Sequence, residues 1–198
     1  TQHAVKLGCN GVLMLPPFYY KDVSNDGLFR SFAEVIERVG DHRLKIYLYH
    51  IPPVSGVPLD LSLVNRLADA YPDCVVGLKD SSGDWAYTES LLKMRPKFGA
   101  FSGSEVFLRQ NLLAGGRGTI TASANVNAGA IRAAYDGFQD AEGKALQTSI
   151  TRRRKIIQEY PMIPALKSIT AKITGNNNWC QVRPPLQPLS SRASDNLL

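Results

Sequence analysis

A lysine that closes an apolar run is the first residue of this chain equipped for covalent chemistry. Val75-Val76-Gly77-Leu78 gives way abruptly to Lys79, and the polar loop Asp80-Ser81-Ser82-Gly83-Asp84 follows at once. An amine carried on the end of a buried strand loses hydration, and desolvation favours the neutral, nucleophilic form of a lysine. A neutral amine attacks a ketone and forms an imine. Read alone, Lys79 is a strand-closing lysine whose stem is buried and whose head reaches water; its neighbours along the chain change that reading. Tyr20 and Tyr49 hold comparable places, just past or at the end of the apolar runs Gly11–Leu15 and Lys45–Tyr49. A phenol donates and accepts protons in turn, which suits a tyrosine to the proton transfers that imine chemistry needs. The plainer alternatives are a core tyrosine with a satisfied hydroxyl at Tyr49 and an aromatic plug at a subunit contact at Tyr20.

These residues act together only if the elements that carry them converge. Strands are predicted over residues 11–15, 45–49, 74–78, 98–101 and 118–122, each a short apolar run. Helices alternate with them. Leu28, Phe29, Phe32, Val35, Ile36 and Val39 recur at helical spacing after Asn25, and Gly40 supplies a stop. Ser62 is placed to cap a helix carrying Leu63, Val64, Leu67 and Ala70, and Asp84 one that Pro96 must end. A helix with Val106, Phe107, Gln110 and Leu113 stops at Gly115-Gly116, and the next is expected to start at Asn127 or Ala128. Residues 141–160 and 164–173 read as helical, and the stretch from Pro184 as irregular.

Strands alternating with helices imply a parallel sheet with right-handed crossovers. Neither G-x-G-x-x-G nor G-x-x-x-x-G-K-[ST] occurs, which argues against an open nucleotide-binding sheet. A (β/α)₈ barrel instead gathers reactive residues at the carboxyl ends of its strands. Tyr20, Tyr49, Lys79, Ser102, Ser104, Ser123 and Asn125 all lie at or just beyond such ends.

Composition narrows the partners. The 44% hydrophobic and 20% charged content is that of an ordinary globular protein. The net charge of +6 is scattered, and its densest run, Arg152-Arg153-Arg154-Lys155, reads as the solvated face of a helix rather than a nucleic-acid contact, because no aromatic residues interleave it. Cys9, Cys74 and Cys180 are odd in number and lack metal-like spacing with His3, His42 and His50, so they are expected to be reduced thiols in a cytoplasmic protein without a metal site. No apolar stretch approaches the roughly 20 residues that cross a bilayer, and no signal peptide opens the chain, so no membrane partner is expected.

Four motifs at successive strand ends carry a resemblance. Leu15-Pro16-Pro17-Phe18-Tyr19-Tyr20, Tyr49-His50-Ile51-Pro52, Gly77-Leu78-Lys79-Asp80-Ser81-Ser82-Gly83-Asp84 and Gly118-Thr119-Ile120-Thr121-Ala122-Ser123-Ala124-Asn125 together resemble the dihydrodipicolinate synthase / N-acetylneuraminate lyase family, in order, over residues 1 to about 190. The resemblance implies a class I aldolase or lyase on a TIM barrel, acting on a 2-oxo acid such as pyruvate, commonly as a homotetramer, with no cofactor beyond the covalent imine. It places the Schiff-base nucleophile at Lys79, the proton relay at Tyr49, and at Tyr20 a tyrosine that reaches the neighbouring subunit's site. Gly103 and Ile120 match positions lining the pyruvate pocket, and Ser81 a hydroxyl used by the lyase branch. Ser81, Ser104, Glu105, Ser123 and Asn125 are further candidates for receiving a sugar acid's hydroxyl groups, and equally plausible turn residues.

Two departures qualify what the resemblance implies. Synthases proper carry an arginine two residues after the Y-x-x-P proline to bind an aldehyde's carboxylate; Val54 stands there, forgoing a charge-assisted contact of about 1.5–3 kcal/mol. A 4-hydroxy-tetrahydrodipicolinate synthase is therefore the second reading, behind a lyase or aldolase. The chain also reads as starting before the family's fourth strand, without the Thr-Thr loop that holds the pyruvate carboxylate. The expected organisation is an incomplete barrel of strands four to eight over residues 1–126, the last barrel helix and C-terminal helices over 127–183, and an irregular tail over 184–198. Such a piece is expected to be poorly active by itself, and a non-catalytic fragment binding a 2-oxo acid or a partner chain is the reading from another class.

Overall fold

The computed structural model describes residues 1–197. They group into two compact units, residues 1–103 with 110–119, and residues 104–109 with 120–197. This differs from the expected boundary at residue 126.

The first unit is built on a parallel sheet of five strands in sequence order: β1 (Val12–Met14), β2 (Ile46–His50), β3 (Val75–Asp80), β4 (Gly99–Ser102) and β5 (Gly118–Thr119). A short α1 (Gln2–Lys6) precedes them. Between the strands run α2 (Asn25–Val39), α3 (Pro52–Ser55), α4 (Leu61–Ala70), α5 (Trp85–Met94) and α6 (Leu108–Leu113). Local signals set the helix ends. Ser24 caps α2 by accepting from Gly27 N at 3.2 Å, and Gly40 closes it at φ 56°. Asp84 caps α5 by accepting from Ala86 N at 2.9 Å. The cap of α4 is Asp60 rather than Ser62, whose hydroxyl instead accepts from Asn25 Nδ2.

Leu28 and Phe32 of α2, Leu63 and Leu67 of α4, and Leu91 of α5 pack on Ile46, Leu48, Val75 and Leu78 to form the core. Burying each such side chain contributes about 1.5–3 kcal/mol. The helices thus cover one face of the sheet, and alternation turns every second strand residue to the other face. On that other face the backbones of β3 and β4 approach closely: a Cβ on Gly77 would stand 2.4 Å from Gly99 O and 2.4 Å from the Tyr47 ring. Asn111 on α6 joins β4 to β5 by donating to Ala100 O at 3.1 Å and Gly118 O at 2.8 Å.

β3 extends two residues beyond its expected end at Leu78. The ladder continues through polar Lys79 and Asp80 because both find partners, described below. β5 stops at Thr119 rather than Ala122.

The second unit is helical: α7 (Ala124–Asp136), α8 (Ala141–Gln158), α9 (Met162–Thr174) and α10 (Ser191–Leu197). Ala124 N and Asn125 N turn back onto Thr121 O and Ala122 O, so α7 begins three residues before its expected start, and Asn127 interrupts it at φ −140°, ψ 24°. The expected irregular tail contains α10. Ser190 Oγ accepts from Ala193 N at its start, and Leu189 and Leu197 pack on a core of Ile157, Ala165 and Leu166. A short cap and two leucines suffice to order residues whose composition reads as loop. Among the described residues, no helix is long and apolar enough to cross a membrane.

Candidate active site

Register and alternation bring two of the predicted residues together. Tyr49 on β2 lies level with Lys79 on β3, and Lys79 level with Phe101 on β4. Ile46, Leu48 and His50 turn to the helix layer, which leaves Tyr47 and Tyr49 on the opposite face with Lys79. Lys79 is 9% exposed. Its Nζ donates to Tyr49 Oη at 2.9 Å and lies 4.2 Å from the centre of that ring. An amine and a phenol in direct contact, nearly removed from solvent, can pass a proton between themselves and to a third group seated against both.

A layer behind them holds the strand ends in place. Asp80, buried on the helix side, accepts from Thr88 Oγ1 at 2.6 Å and Ser82 N at 2.9 Å, so α5 and the loop after β3 are tied to the residue next to Lys79. His50 Nδ1 accepts from Leu59 N at 3.0 Å, and its ring stacks on Tyr87 at 4.1 Å. Burial holds the His50 imidazole below its usual range, against the charges of Asp80 and Asp60. Burial likewise pushes the Tyr87 phenol far up, and its hydroxyl donates to Leu59 O at 2.6 Å. His50 therefore serves the scaffold, as strand alternation from Tyr49 requires.

Ser81 and Gly103 also meet here. Gly103 N donates to Asp80 O at 2.6 Å. A Cβ on Gly103 would stand 2.0 Å from Ser81 Oγ and 2.8 Å from both Asp80 O and Ser81 Cα, so only glycine fits beside this hydroxyl.

Tyr20 is not drawn into this arrangement. It is 70% exposed, and its ring packs edge-on against Tyr19 at 5.3 Å. Ile120 follows β5 directly and is half-buried.

Beside Tyr49 opens a cavity of about 320 Å³ lined by Leu15, Phe18, Tyr49, Ile51, Val54 and Ser55. These residues come from separate motifs, and no local pattern in the sequence marks their convergence.

In the second unit, Glu105 and Ser123 are buried and bonded to each other, which removes them from the candidates for sugar hydroxyl contacts. Thr121 Oγ1 donates to Glu105 at 2.6 Å, and Arg154 Nη1 stands 3.6 Å from the same carboxylate while donating to Thr121 at 3.1 Å and Ser123 at 3.3 Å. Asn125 Nδ2 is occupied by Ala122 O, and Ser104 caps the 3₁₀ turn Glu105–Phe107. The basic run is thus not a uniformly solvated face: Arg154 is largely buried. Its spacing from the buried Ile150 and Ile157, four residues before and three after, was the available signal.

Comparison with known proteins gives a family match and matching folds. The family model described as the dihydrodipicolinate synthetase family matches residues 1–198. An uncharacterized DapA-like lyase of Chloroflexus aurantiacus is 33% identical over 96% of this chain and 64% of its own length. The Escherichia coli protein named putative 2-dehydro-3-deoxy-D-gluconate aldolase YagE is 29% identical over 96% of the chain and 63% of its own. The crystal structure of dihydrodipicolinate synthase from Agrobacterium tumefaciens superimposes with a TM-score of 0.89 at 34% identity, over 99% of this chain and 66% of that one. That of E. coli YagE, in complex with pyruvate, gives 0.84 at 27% identity, over 99% and 66%. The chain thus spans less than two thirds of the length of the curated relatives named here.

Proposed function

Because the chain belongs to the dihydrodipicolinate synthetase family, we propose that it supplies the catalytic lysine and tyrosine of a class I, pyruvate-dependent aldolase or lyase on an incomplete (β/α)₈ barrel. The observation that carries this reading is the 2.9 Å contact between Lys79 Nζ and Tyr49 Oη at level positions on adjacent strand ends. In the condensing direction Lys79 adds to the ketone of a 2-oxo acid. Tyr49 moves a proton from nitrogen to oxygen and then protonates the departing hydroxyl, leaving water and an iminium. The tyrosinate takes a proton from the adjacent methyl carbon, and the iminium nitrogen receives the electron pair, forming the enamine. That nitrogen is the electron sink, so the scheme calls for no metal or organic cofactor. Carbon–carbon cleavage runs the same steps in reverse. The pyruvate bound by YagE supports pyruvate as the 2-oxo acid.

Gly103 and Ser81, held against Asp80 beside Lys79, are proposed to line the 2-oxo acid's place. Val54 at the cavity, where synthases proper carry an arginine, favours a lyase or aldolase over a 4-hydroxy-tetrahydrodipicolinate synthase. Three free thiols support a reducing, cytoplasmic setting, and the exposed Tyr19–Tyr20 pair supports a contact within a homotetramer, for which light scattering is the check.

The test is covalent. Protein incubated with pyruvate and borohydride is expected to gain one reduced pyruvyl group, mapped to Lys79 by peptide mass, and Lys79→Met is expected to gain none. An unmodified Lys79 would overturn the reading.

A further inference from the structure

Between Glu159 and Asp195 the sequence carries four cations, Lys167, Lys172, Arg183 and Arg192, and no carboxylate. Two of the four line one cleft of about 510 Å³ in the second unit. Ile163 and Lys167 stand one turn apart on α9, and Val182 and Leu186 add aliphatic walls beside them. Arg183 supplies the second cation, and Asn178 and Gln181 two amides. Local bonds fix this frame. Gly175 closes α9 at φ 66°, Asn176 N donates to Ala171 O at 3.1 Å, and Asn176 Oδ1 accepts from Asn178 N at 3.0 Å to start the 3₁₀ turn Asn177–Cys180. Leu186 N donates to Arg183 O at 3.1 Å and closes a turn through the two intervening prolines.

Neither cation is neutralised: among the described residues, no carboxylate comes within ion-pair distance of Lys167 or Arg183. Lys167 Nζ instead lies 5.2 Å from the centre of the Trp179 ring. A ring face attracts the charge without binding the ammonium hydrogens as a carboxylate does, so they stay able to donate to an anion. We propose that the cleft binds an organic carboxylate with an apolar body, its carboxylate held by Lys167 and Arg183 and its body by Ile163, Val182 and Leu186. The guanidinium fork matches a carboxylate in two parallel hydrogen bonds, and the ammonium adds a point charge. The volume is that of a small-molecule site. A cationic guest would meet two like charges, and a bare inorganic anion would leave the aliphatic walls unused. The cleft is built from the second unit alone, whereas Lys79 belongs to the first, so the proposal stands apart from the imine chemistry.

The probe is 4-phenylbutyrate, titrated calorimetrically into the full chain carrying Lys79→Met, which removes the imine lysine as a source of signal. Saturable binding with a Kd of about 1 mM or tighter is expected, weakening as ionic strength rises. Acetate and inorganic phosphate, which have charge without a body, and 4-phenylbutylamine, which has the body with the wrong charge, should each bind weaker by about tenfold or more. Lys167→Met and Arg183→Met, with circular dichroism unchanged, should each weaken 4-phenylbutyrate by about tenfold, and Arg183→Lys, which keeps the charge and loses the fork, by less. In a Trp85→Phe background Trp179 is the remaining tryptophan, and its emission should shift with the same Kd, which places the probe beside Lys167. No binding up to about 10 mM, equal binding of the amine, phosphate or acetate as tight as 4-phenylbutyrate, or unchanged affinity in both methionine variants would each overturn the site.

Discussion

Gly103→Ala isolates how tightly the strand ends beside Lys79 are packed. The new methyl would meet Ser81 Oγ at 2.0 Å, Asp80 O at 2.8 Å and Ser81 Cα at 2.8 Å. The hydroxyl can swing away by rotating its side chain, but the other two atoms are backbone. Reaching an ordinary contact of 3.4 Å requires the ends of β3 and β4 to part by 3.4 − 2.8, about 0.6 Å. The 2.6 Å bond from Gly103 N to Asp80 O lies across that gap and lengthens with it. Overpacking costs about 1–3 kcal/mol and a weakened hydrogen bond up to about 1 more, giving about 2–4 kcal/mol in all. With a urea slope of about 2 kcal/mol/M, the midpoint should fall by about 1–2 M. In a Trp179→Phe background Trp85 is the remaining tryptophan and reports on the first unit by fluorescence. Adding Ser81→Ala should recover only a minor part of the loss, because the backbone contacts persist. A Gly103→Ala midpoint within about 0.3 M of its parent, or complete recovery by Ser81→Ala, would refute the packing argument. Gly129→Ala is the opposite case: it lies in α7 with nothing within 4 Å of the added methyl, and should stabilise by about 0.5–1 kcal/mol.

Tyr49→Phe keeps the ring and removes the acceptor of the Lys79 bond, so pyruvate trapping on Lys79 should slow by about 10²–10⁴ with circular dichroism unchanged; trapping at the parent rate would remove Tyr49 from the relay. His50 is depressed below 6.5 in the folded state, so its contribution to stability is complete above about pH 6.5 and is lost progressively as pH falls below it toward the folded value. His50→Asn, which offers an oxygen near the Nδ1 position, should shrink the drop in urea midpoint between pH 7.5 and pH 5, and an unaltered drop would show that other groups cause it. Arg154→Ala leaves the fully buried Glu105 without its cation and should destabilise by about 3–5 kcal/mol, whereas Glu105→Gln with Arg154→Met should recover much of that; a neutral Arg154→Ala would mean the ion pair contributes nothing.

Most of the fold was legible because alternating apolar runs and helix caps are local signals. Ser24, Gly40 and Asp84 end helices where side-chain chemistry and a left-handed glycine require. The errors fall where distant partners override local preference. β3 was expected to stop at Leu78, the last apolar residue, yet Lys79 and Asp80 stay in the ladder because Tyr49 and Thr88 receive their side chains. β5 was expected to reach Ala122, but Thr121 and Ser123 are taken by Glu105, sixteen and eighteen residues earlier. Arg154 read as solvated for the same reason: its partners come from another part of the chain. In the site, the pairing of Tyr49 with Lys79 followed from strand ends in succession, whereas the cavity wall needed the turn through Pro52 and the bond from Lys21 Nζ to Ser55 O, neither of which leaves a periodic trace.

The period of two along β2 and β3 separates chemistry from support. Tyr49 and Lys79 occupy one face, where a glycine pair, Gly77 and Gly99, lets the backbones close in under the Tyr47 ring. His50 and Asp80, one residue on, occupy the other and spend their polar atoms on Leu59, Thr88 and Ser82. Both are bonded to groups within the first unit, so their geometry is specified by several bonds at once. On the chemistry face the reverse holds. The amine and phenol have chiefly each other, and a third group that displaces their contact can be bonded by both. A one-residue slip of either strand would exchange the faces, placing the amine among leucines and the carboxylate in the site. The register that aligns Tyr49 with Lys79 is therefore held by the same two residues, His50 and Asp80, that take no part in the proposed proton transfers.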